Sequence, residues 1–256
     1  MAKHVDFYFA LNSRYSYLAA SQIAALEKEC GAEVTWRPLD FDLLMVARKW
    51  DPFSGAPTSG QYDVTYRRKD VSRWAKYYDI PLRIVEWERY DWLRFNLAAT
   101  EAAKDPEGCA RFAQAVFALT MGEREERDTE SVIAAAARDA GLDPRRLIEA
   151  SKNSDTKAQL HHAITDAVAL GVFGVPSFVL DGEVYWGNDR LDPAALGAHR
   201  EAVGAPSRDA DDRVSDRTVI DGSRPYPEVD SLVAAANLLV GQAAHAGQHV
   251  VAPRFV

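Results

Sequence analysis

The chain has 256 residues, 47% of them hydrophobic and 27% charged, which is typical of a globular protein and excludes a disordered or fibrous one. Its formal net charge of −8 argues against a nucleic-acid partner, since phosphate binding needs a basic face. No apolar run approaches the ~18 residues of a membrane span, and the isolated cysteines Cys30 and Cys109 indicate neither disulfides nor a zinc site.

The N-terminal segment lacks the pattern of a secretory signal peptide. We therefore expect a cytoplasmic protein with no membrane, metal or nucleic-acid partner.

The first predicted elements are a strand, a polar turn and a helix. Residues 5–11 are apolar and rich in aromatic side chains, and residues 17–26 place apolar side chains at helical spacing. The turn between them reads Ser13-Arg14-Tyr15-Ser16. A serine at a helix start can cap the helix, and its hydroxyl can donate a hydrogen bond to an anion held there.

A second strand over residues 33–39 completes a β-α-β unit, whose two strands should be parallel. Proline and glycine then indicate a loop from about 46 to 64. Helical patterns follow at about 65–78, 91–104, 107–122, 129–140, 143–152 and 155–170, with Asp91 and Asp143 as candidate N-caps.

A β-hairpin is predicted after this helical block. Residues 171–180 read Gly-Val-Phe-Gly-Val-Pro-Ser-Phe-Val-Leu, and Asp181-Gly182 separates them from a second strand. Asp-Gly between two apolar runs favours a tight hairpin turn. Pro176 should stand at the first residue of its strand, where it need not donate a hydrogen bond, and we expect it to be cis and to face a ligand.

A proline-plus-hairpin half following a β-α-β half resembles a thioredoxin-like fold. We therefore predict an α/β protein whose thioredoxin-like core (residues 1–45 and 170–204) carries an inserted all-helical domain (46–169). Residues 205–256 form a C-terminal extension whose helix, from about 229 to 247, should dock on the core or on a second subunit. A thiol oxidoreductase of this fold has Cys-x-x-Cys where this chain has Ser13-Arg14-Tyr15-Ser16, so disulfide chemistry is excluded there.

Several segments together resemble one family. They are Asp-Phe-Tyr-Phe at 6–9, Ser-x-Tyr-Ser at 13–16, Trp-Arg-Pro at 36–38, Gly-Val-Phe-Gly-Val-Pro at 171–176 and Trp-Gly-Asn-Asp-Arg-Leu at 186–191. In order and spacing they resemble the 2-hydroxychromene-2-carboxylate isomerases, within the wider group of kappa-class glutathione transferases and disulfide-oxidase-like proteins. The resemblance covers about residues 5–200.

The resemblance implies a homodimer that binds glutathione and an aromatic hydroxy- or keto-acid, and that catalyses thiol-dependent cis–trans isomerisation. Ser13 matches the catalytic serine of the family, which hydrogen-bonds the glutathione sulfur. Val175, before the cis proline Pro176, matches the residue that pairs with the cysteinyl backbone of glutathione. Asn188 and Asp189 match the loop that holds its γ-glutamyl end.

Two departures from the family pattern and two further residues bear on how the ligands are bound. Arg14 stands where the family has proline, and its guanidinium could hold a substrate carboxylate or point to solvent. Asp63 falls near a lysine that contacts glutathione in the family, and a carboxylate there would repel the glycine end. Trp186 could wall the substrate pocket or belong to the core, and Asn96 is a candidate pocket residue on the inserted helices.

Two other functions remain open at this point. One is glutathione transfer to an electrophile, as in kappa-class transferases. The other is a thioredoxin-fold binding protein without catalytic activity.

Overall fold

A four-stranded mixed sheet forms the centre of the part of the chain that the structure, a computed structural model, describes: residues 3–49, 60–124 and 128–190. Its strands are β1 (Lys3–Phe9), β2 (Ala32–Pro38), β3 (Ser177–Leu180) and β4 (Glu183–Trp186). Their order across the sheet is β2-β1-β3-β4. β1 is parallel to β2, as the β-α-β pattern predicts, and antiparallel to β3.

The Asp-Gly turn joins β3 to β4 as a two-residue hairpin. Asp181 has φ 53° and Gly182 has φ 83°, so both residues adopt the left-handed conformation of a primed turn. The predicted hairpin is confirmed.

Helices surround the sheet. They are α1 (Arg14–Ala20), α2 (Ile23–Cys30), α3 (Phe41–Arg48), α4 (Val64–Tyr77), α5 (Trp92–Ala102), α6 (Pro106–Thr120), α7 (Thr129–Ala140), α8 (Pro144–Ala150) and α9 (Ser154–Ala169). The last seven, α3 to α9, lie in the chain between β2 and β3, and α4 to α9 lie where the sequence predicts the helical block. Asp91 and Asp143 cap α5 and α8, as predicted.

Two helical predictions are corrected. The single helix expected after Ser13 is divided at residues 21–22, where the Ser21 hydroxyl donates to the Leu18 carbonyl at 2.7 Å and competes with the helical backbone bonds. The sequence analysis also missed α3. This short helix begins at Asp40, whose carboxylate accepts the Leu43 N–H at 3.0 Å.

The side chains of β1 alternate between two apolar layers. Phe7 and Phe9 are fully buried on one face, where Phe7 lies 4.9 Å from the rings of Trp36 and Phe178. The inserted helices α5, α6 and α7 complete that layer, whereas Tyr8 on the other face packs with α3 and α9. Both faces of the strand are thus held, which fixes the position of the turn that follows it.

The predicted C-terminal extension and its docking helix lie outside the described residues. Among the helices that the structure describes, none has the length and apolar character to cross a membrane.

Candidate active site

A cavity of about 490 Å³ opens beside the start of α1. This volume is within the range of small-molecule pockets. Three separate parts of the chain form its wall: the turn after β1, the α3–α4 region with Trp87, and the hairpin segment. The lining residues are Asn12, Ser13, Tyr15, Phe41, Met45, Tyr62, Tyr66, Arg67, Asp70, Trp74, Trp87 and residues 173–176 and 186–190.

Ser13 lines this cavity and is the N-cap of α1, as predicted. Its backbone is extended (φ −96°, ψ 115°), and its Oγ accepts the Ser16 N–H at 3.1 Å. This bond uses a lone pair of the oxygen and leaves the hydroxyl proton for another acceptor. Ser16, at the position of the second cysteine of a dithiol, is fully buried, and its Oγ accepts the Ala10 N–H.

A buried polar chain supports the turn that carries Ser13. The Asn96 amide oxygen accepts the Leu11 N–H at 2.8 Å, and its NH₂ group donates to Asp40 at 2.9 Å. Burial raises the pKa of Asp40, whereas the bonds from Leu43 and Asn96 lower it. Asn96, a predicted pocket residue, therefore lies behind the turn and does not line the cavity, because both ends of its amide are engaged by the protein.

The hairpin segment reaches the cavity through Val175 and Pro176, whose peptide bond is cis, as expected. No backbone hydrogen bond joins Val175 to any residue that the structure describes. The Pro176 carbonyl, by contrast, accepts the Gly187 N–H at 3.0 Å. The backbone N–H and C=O of Val175 thus remain for a peptide-like partner.

Trp186 is 38% exposed and lines the cavity. Its ring lies 5.2 Å from that of Phe173. A side chain on Gly174 would bring a Cβ to 2.7 Å from the indole nitrogen, so only glycine allows this close approach. The tryptophan forms a wall of the site and does not belong to the buried core.

The loop after β4 brings Asn188 and Asp189 to the same cavity. Asn188 is 3% exposed, and its carbonyl accepts the Tyr78 hydroxyl at 3.1 Å while its amide donates back to that oxygen at 3.4 Å. Asp189 is exposed and lies 3.9 Å from Arg190. The end of α4 therefore anchors this loop, with a carboxylate and a guanidinium next to each other at its rim.

Arg67 adds a cation to the cavity lining, and it was not selected from the sequence. Arg14 does not line the cavity, because its guanidinium turns away to donate to the Val85 carbonyl at 3.2 Å. Asp63 does not line it either, since its carboxylate caps α4 by accepting the Tyr66 N–H at 2.7 Å. One helical turn after this cap, Arg67 reaches the cavity instead of the expected carboxylate.

Arg67 stacks 4.8 Å above the ring of Tyr15, whose hydroxyl donates to Asp70 at 2.8 Å. Burial lowers the pKa of Arg67, and the Coulombic effects of Tyr15 and Asp70 oppose that shift. Burial also raises the pKa of Tyr15. A protonated tyrosine, a carboxylate and a guanidinium thus share one side of the cavity.

Asn12 is a second lining residue that was not predicted from the sequence. The available signal was its place at the end of a buried strand, directly before Ser13. The residue lines the cavity although it is only 9% exposed.

No cysteine lines the cavity. Cys109 is fully buried, which raises its pKa to about 12 and makes it a poor nucleophile. Within the described ranges, no group of three or more His, Cys, Asp or Glu side chains could hold a metal ion.

Comparisons with known proteins agree with this geometry. Residues 4–196 match the family described as the DSBA-like thioredoxin domain. A 2-hydroxychromene-2-carboxylate isomerase of Sphingobium xenophagum is 30% identical over 194 residues, which are 75% of this chain and 96% of that relative. An isomerase of the same name from Pseudomonas putida is 31% identical over 188 residues, or 73% and 90% of the two chains.

Solved structures match in the same way. A 2-hydroxychromene-2-carboxylate isomerase structure superposes with a TM-score of 0.63 at 27% identity, covering 78% of this chain and 96% of that one. A probable DsbA oxidoreductase from Streptomyces coelicolor has a TM-score of 0.56 at 18% identity, with 84% and 97% covered, and shows the fold alone. The predicted thioredoxin-like fold is confirmed.

Proposed function

The chain belongs to the DSBA-like thioredoxin family and, within it, to the 2-hydroxychromene-2-carboxylate isomerases, so it is an isomerase, and we propose that its reaction is thiol-dependent. The proposed substrate is an aromatic hydroxy- or keto-acid of the 2-hydroxychromene-2-carboxylate type, and the proposed thiol is glutathione. Ser13 is the proposed catalytic residue.

One observation carries this proposal. More than a hundred residues of chain separate Ser13 from the Val175–Pro176 peptide and the loop at 188–189, yet all three line one cavity. These three features suit a short peptide with a thiol. The hydroxyl can donate to the thiol sulfur, the open backbone segment can pair with the peptide backbone, and the charged loop can bind the charged end.

The residues present fit glutathione. The backbone groups of Val175 have no partner among the described residues and can pair with the cysteinyl unit. Asp189 and Arg190 offer a carboxylate and a guanidinium, which complement the ammonium and carboxylate of a γ-glutamyl end. When bound, glutathione supplies a nucleophile that adds to a conjugated double bond and leaves after rotation, so that no thiol is consumed.

Ser13 supplies the donor for a sulfur anion. A thiol has a pKa of about 8.5 and is mostly protonated at neutral pH. The Ser13 oxygen accepts the Ser16 N–H through a lone pair, so its hydroxyl proton can be donated to a ligand in the cavity. A hydrogen bond to a charged group is worth about 1.5–3 kcal/mol, which favours the thiolate.

Aromatic side chains supply the walls for an aromatic substrate. They come from α3, from α4 and its preceding turn, and from the hairpin segment: Phe41, Tyr62, Tyr66, Trp74, Trp87, Phe173 and Trp186. Flat rings bind aromatic ligands by offset stacking and edge contacts. This composition favours a ring-bearing substrate over an extended aliphatic one.

The test follows the conversion of 2-hydroxychromene-2-carboxylate by absorbance, with and without glutathione, while free thiol is counted in parallel. We expect conversion that needs glutathione and leaves total thiol unchanged. Stoichiometric loss of thiol would show a transferase instead, and no turnover under either condition would indicate a binding protein without this activity.

Calorimetric titration with glutathione tests the cofactor separately. We expect binding to the wild type at millimolar concentration or below, and the absence of binding would remove glutathione from the proposal even if conversion is seen with another thiol.

The remaining parts of the proposal concern assembly, location and domain organisation. We propose a cytoplasmic homodimer, in which residues 46–169 form the inserted domain and the extension after residue 205 docks on the core or on the partner subunit. Sedimentation of the full chain and of a variant ending at residue 205 tests this. A monomeric full chain would contradict the dimer, and an unchanged oligomeric state together with an unchanged melting temperature in the shortened variant would contradict the docking of the extension.

A further inference from the structure

Asn12 lines the cavity and carries a buried amide that has no hydrogen-bond partner among the described residues. The residue is 9% exposed, and neither its amide nitrogen nor its amide oxygen has a hydrogen-bond partner among the described residues. It stands in the turn after β1, directly before the proposed catalytic Ser13, and lines the same cavity.

A buried amide without partners is unfavourable in the folded protein. Each unsatisfied polar group loses its bonds to water and gains none in return, whereas an apolar side chain of similar shape avoids this loss. Asn96, by contrast, makes both of its bonds within the protein. The stability of the free protein therefore gives no reason for asparagine at position 12, but a ligand in the cavity does.

The ligand that fits must match the groups around it. Arg67 contributes a guanidinium to the same cavity, and the Tyr15 hydroxyl on that side is already donated to Asp70. The other carboxylate of the lining, Asp189, lies beside Arg190. A guanidinium and a neutral amide donor in one cavity match a carboxylate and an adjacent carbonyl oxygen.

We propose that Asn12 is a substrate-binding residue whose amide NH₂ donates to the keto oxygen of an aromatic α-keto acid, with the acid's carboxylate held by Arg67. The proposal rests on the proposed function and names the substrate groups that the site recognises. The hydrogen bond strengthens as negative charge grows on the keto oxygen, so Asn12 favours the charged form reached during isomerisation.

Asn12 is assigned to the substrate and not to the thiol, because the thiol's requirements are already met. The backbone groups of Val175 can bind the peptide backbone of glutathione, and the charged pair at residues 189–190 can bind its γ-glutamyl end. Of the remaining polar groups in the lining, Arg67 is the one that we assign to the keto acid, and aromatic side chains form the walls around it.

The test measures binding by calorimetry, with phenylpyruvate as a non-isomerising aromatic α-keto acid and glutathione as the thiol. The variant is Asn12→Leu, which has the same number of side-chain heavy atoms in a similar branched shape and removes the amide. Asn153→Ala removes an exposed amide that caps α9 outside the cavity and serves as the matched control.

We expect Asn12→Leu to weaken phenylpyruvate binding about tenfold and to change glutathione binding less than twofold. Its melting temperature should equal or exceed that of the wild type, which also shows that the variant folds. Asn153→Ala should bind both compounds as the wild type does.

Unchanged phenylpyruvate affinity in Asn12→Leu would overturn the inference, as would a variant that loses glutathione instead. Failure of the wild type to bind phenylpyruvate at millimolar concentration would overturn it as well. If the wild type binds through Asn12 but does not isomerise 2-hydroxychromene-2-carboxylate, the subsite stands and the proposed function fails.

Discussion

Removal of the Asn96 amide should strongly destabilise the protein. Asn96 is fully buried on α5, and it joins the Leu11 N–H to the carboxylate of Asp40. Asn96→Ala removes both hydrogen bonds, and the alanine side chain can replace neither of them. The Leu11 N–H and one oxygen of Asp40 are then left buried without these partners.

The magnitude follows from the two bonds. A hydrogen bond to a charged group is worth about 1.5–3 kcal/mol, and a buried donor left unsatisfied costs about 1–3 kcal/mol. Together they predict a loss of about 3–5 kcal/mol in the free energy of unfolding, which is a large share of the ~5–15 kcal/mol typical of folded proteins. The melting temperature should fall by about 10 °C.

Urea denaturation of the wild type and of Asn96→Ala measures this loss. Asn153→Ala is the control, because it removes an amide that only caps an exposed helix end, and its cost should be about 1 kcal/mol. A loss below about 1 kcal/mol for Asn96→Ala would refute the claim that this amide supports the site turn.

Three further predictions concern the walls and the support of the site. Gly174→Ala should displace the Trp186 indole, cost about 1–3 kcal/mol of stability and weaken aromatic ligands, and unchanged ligand titrations would contradict this. Tyr78→Phe removes the hydroxyl that donates to the Asn188 carbonyl, so glutathione affinity should fall a few-fold in calorimetry without a change in fold. Asp40 has a raised pKa in the folded protein, so its contribution to stability is present below the ordinary pKa of aspartate and is lost as the pH rises through the raised value. Asp40→Asn, compared with the wild type by urea denaturation at several pH values, should lack this decline, and parallel curves would contradict the assignment.

Local signals were sufficient where one short pattern determines the structure. Asp-Gly between two apolar runs fixes the hairpin, because both turn residues can adopt positive φ. Aspartate before an apolar helix fixes the starts of α5 and α8. The serine before α1 was found in the same way.

Residues whose role depends on tertiary packing were not predictable. Arg14 and Arg67 both carry a guanidinium near the site in the chain, but packing turns Arg14 toward Val85 and Arg67 toward the cavity. The Asp63 carboxylate was expected to repel the glycine end of glutathione, yet it caps its own helix. Asn96 faces inward because Leu11 and Asp40 need its amide, and no spacing in the sequence reveals that need.

The effect of Ser13→Ala on glutathione-dependent isomerisation is the most direct test of the central claim. The rate of 2-hydroxychromene-2-carboxylate isomerisation is measured against glutathione concentration for the wild type, for Ser13→Ala and for Ser72→Ala, whose hydroxyl bonds its own helix away from the cavity. One hydrogen bond to a thiolate predicts a fall in kcat/KM of about 10- to 100-fold in Ser13→Ala, and no change in Ser72→Ala. A Ser13→Ala enzyme as active as the wild type at every glutathione concentration would contradict the account.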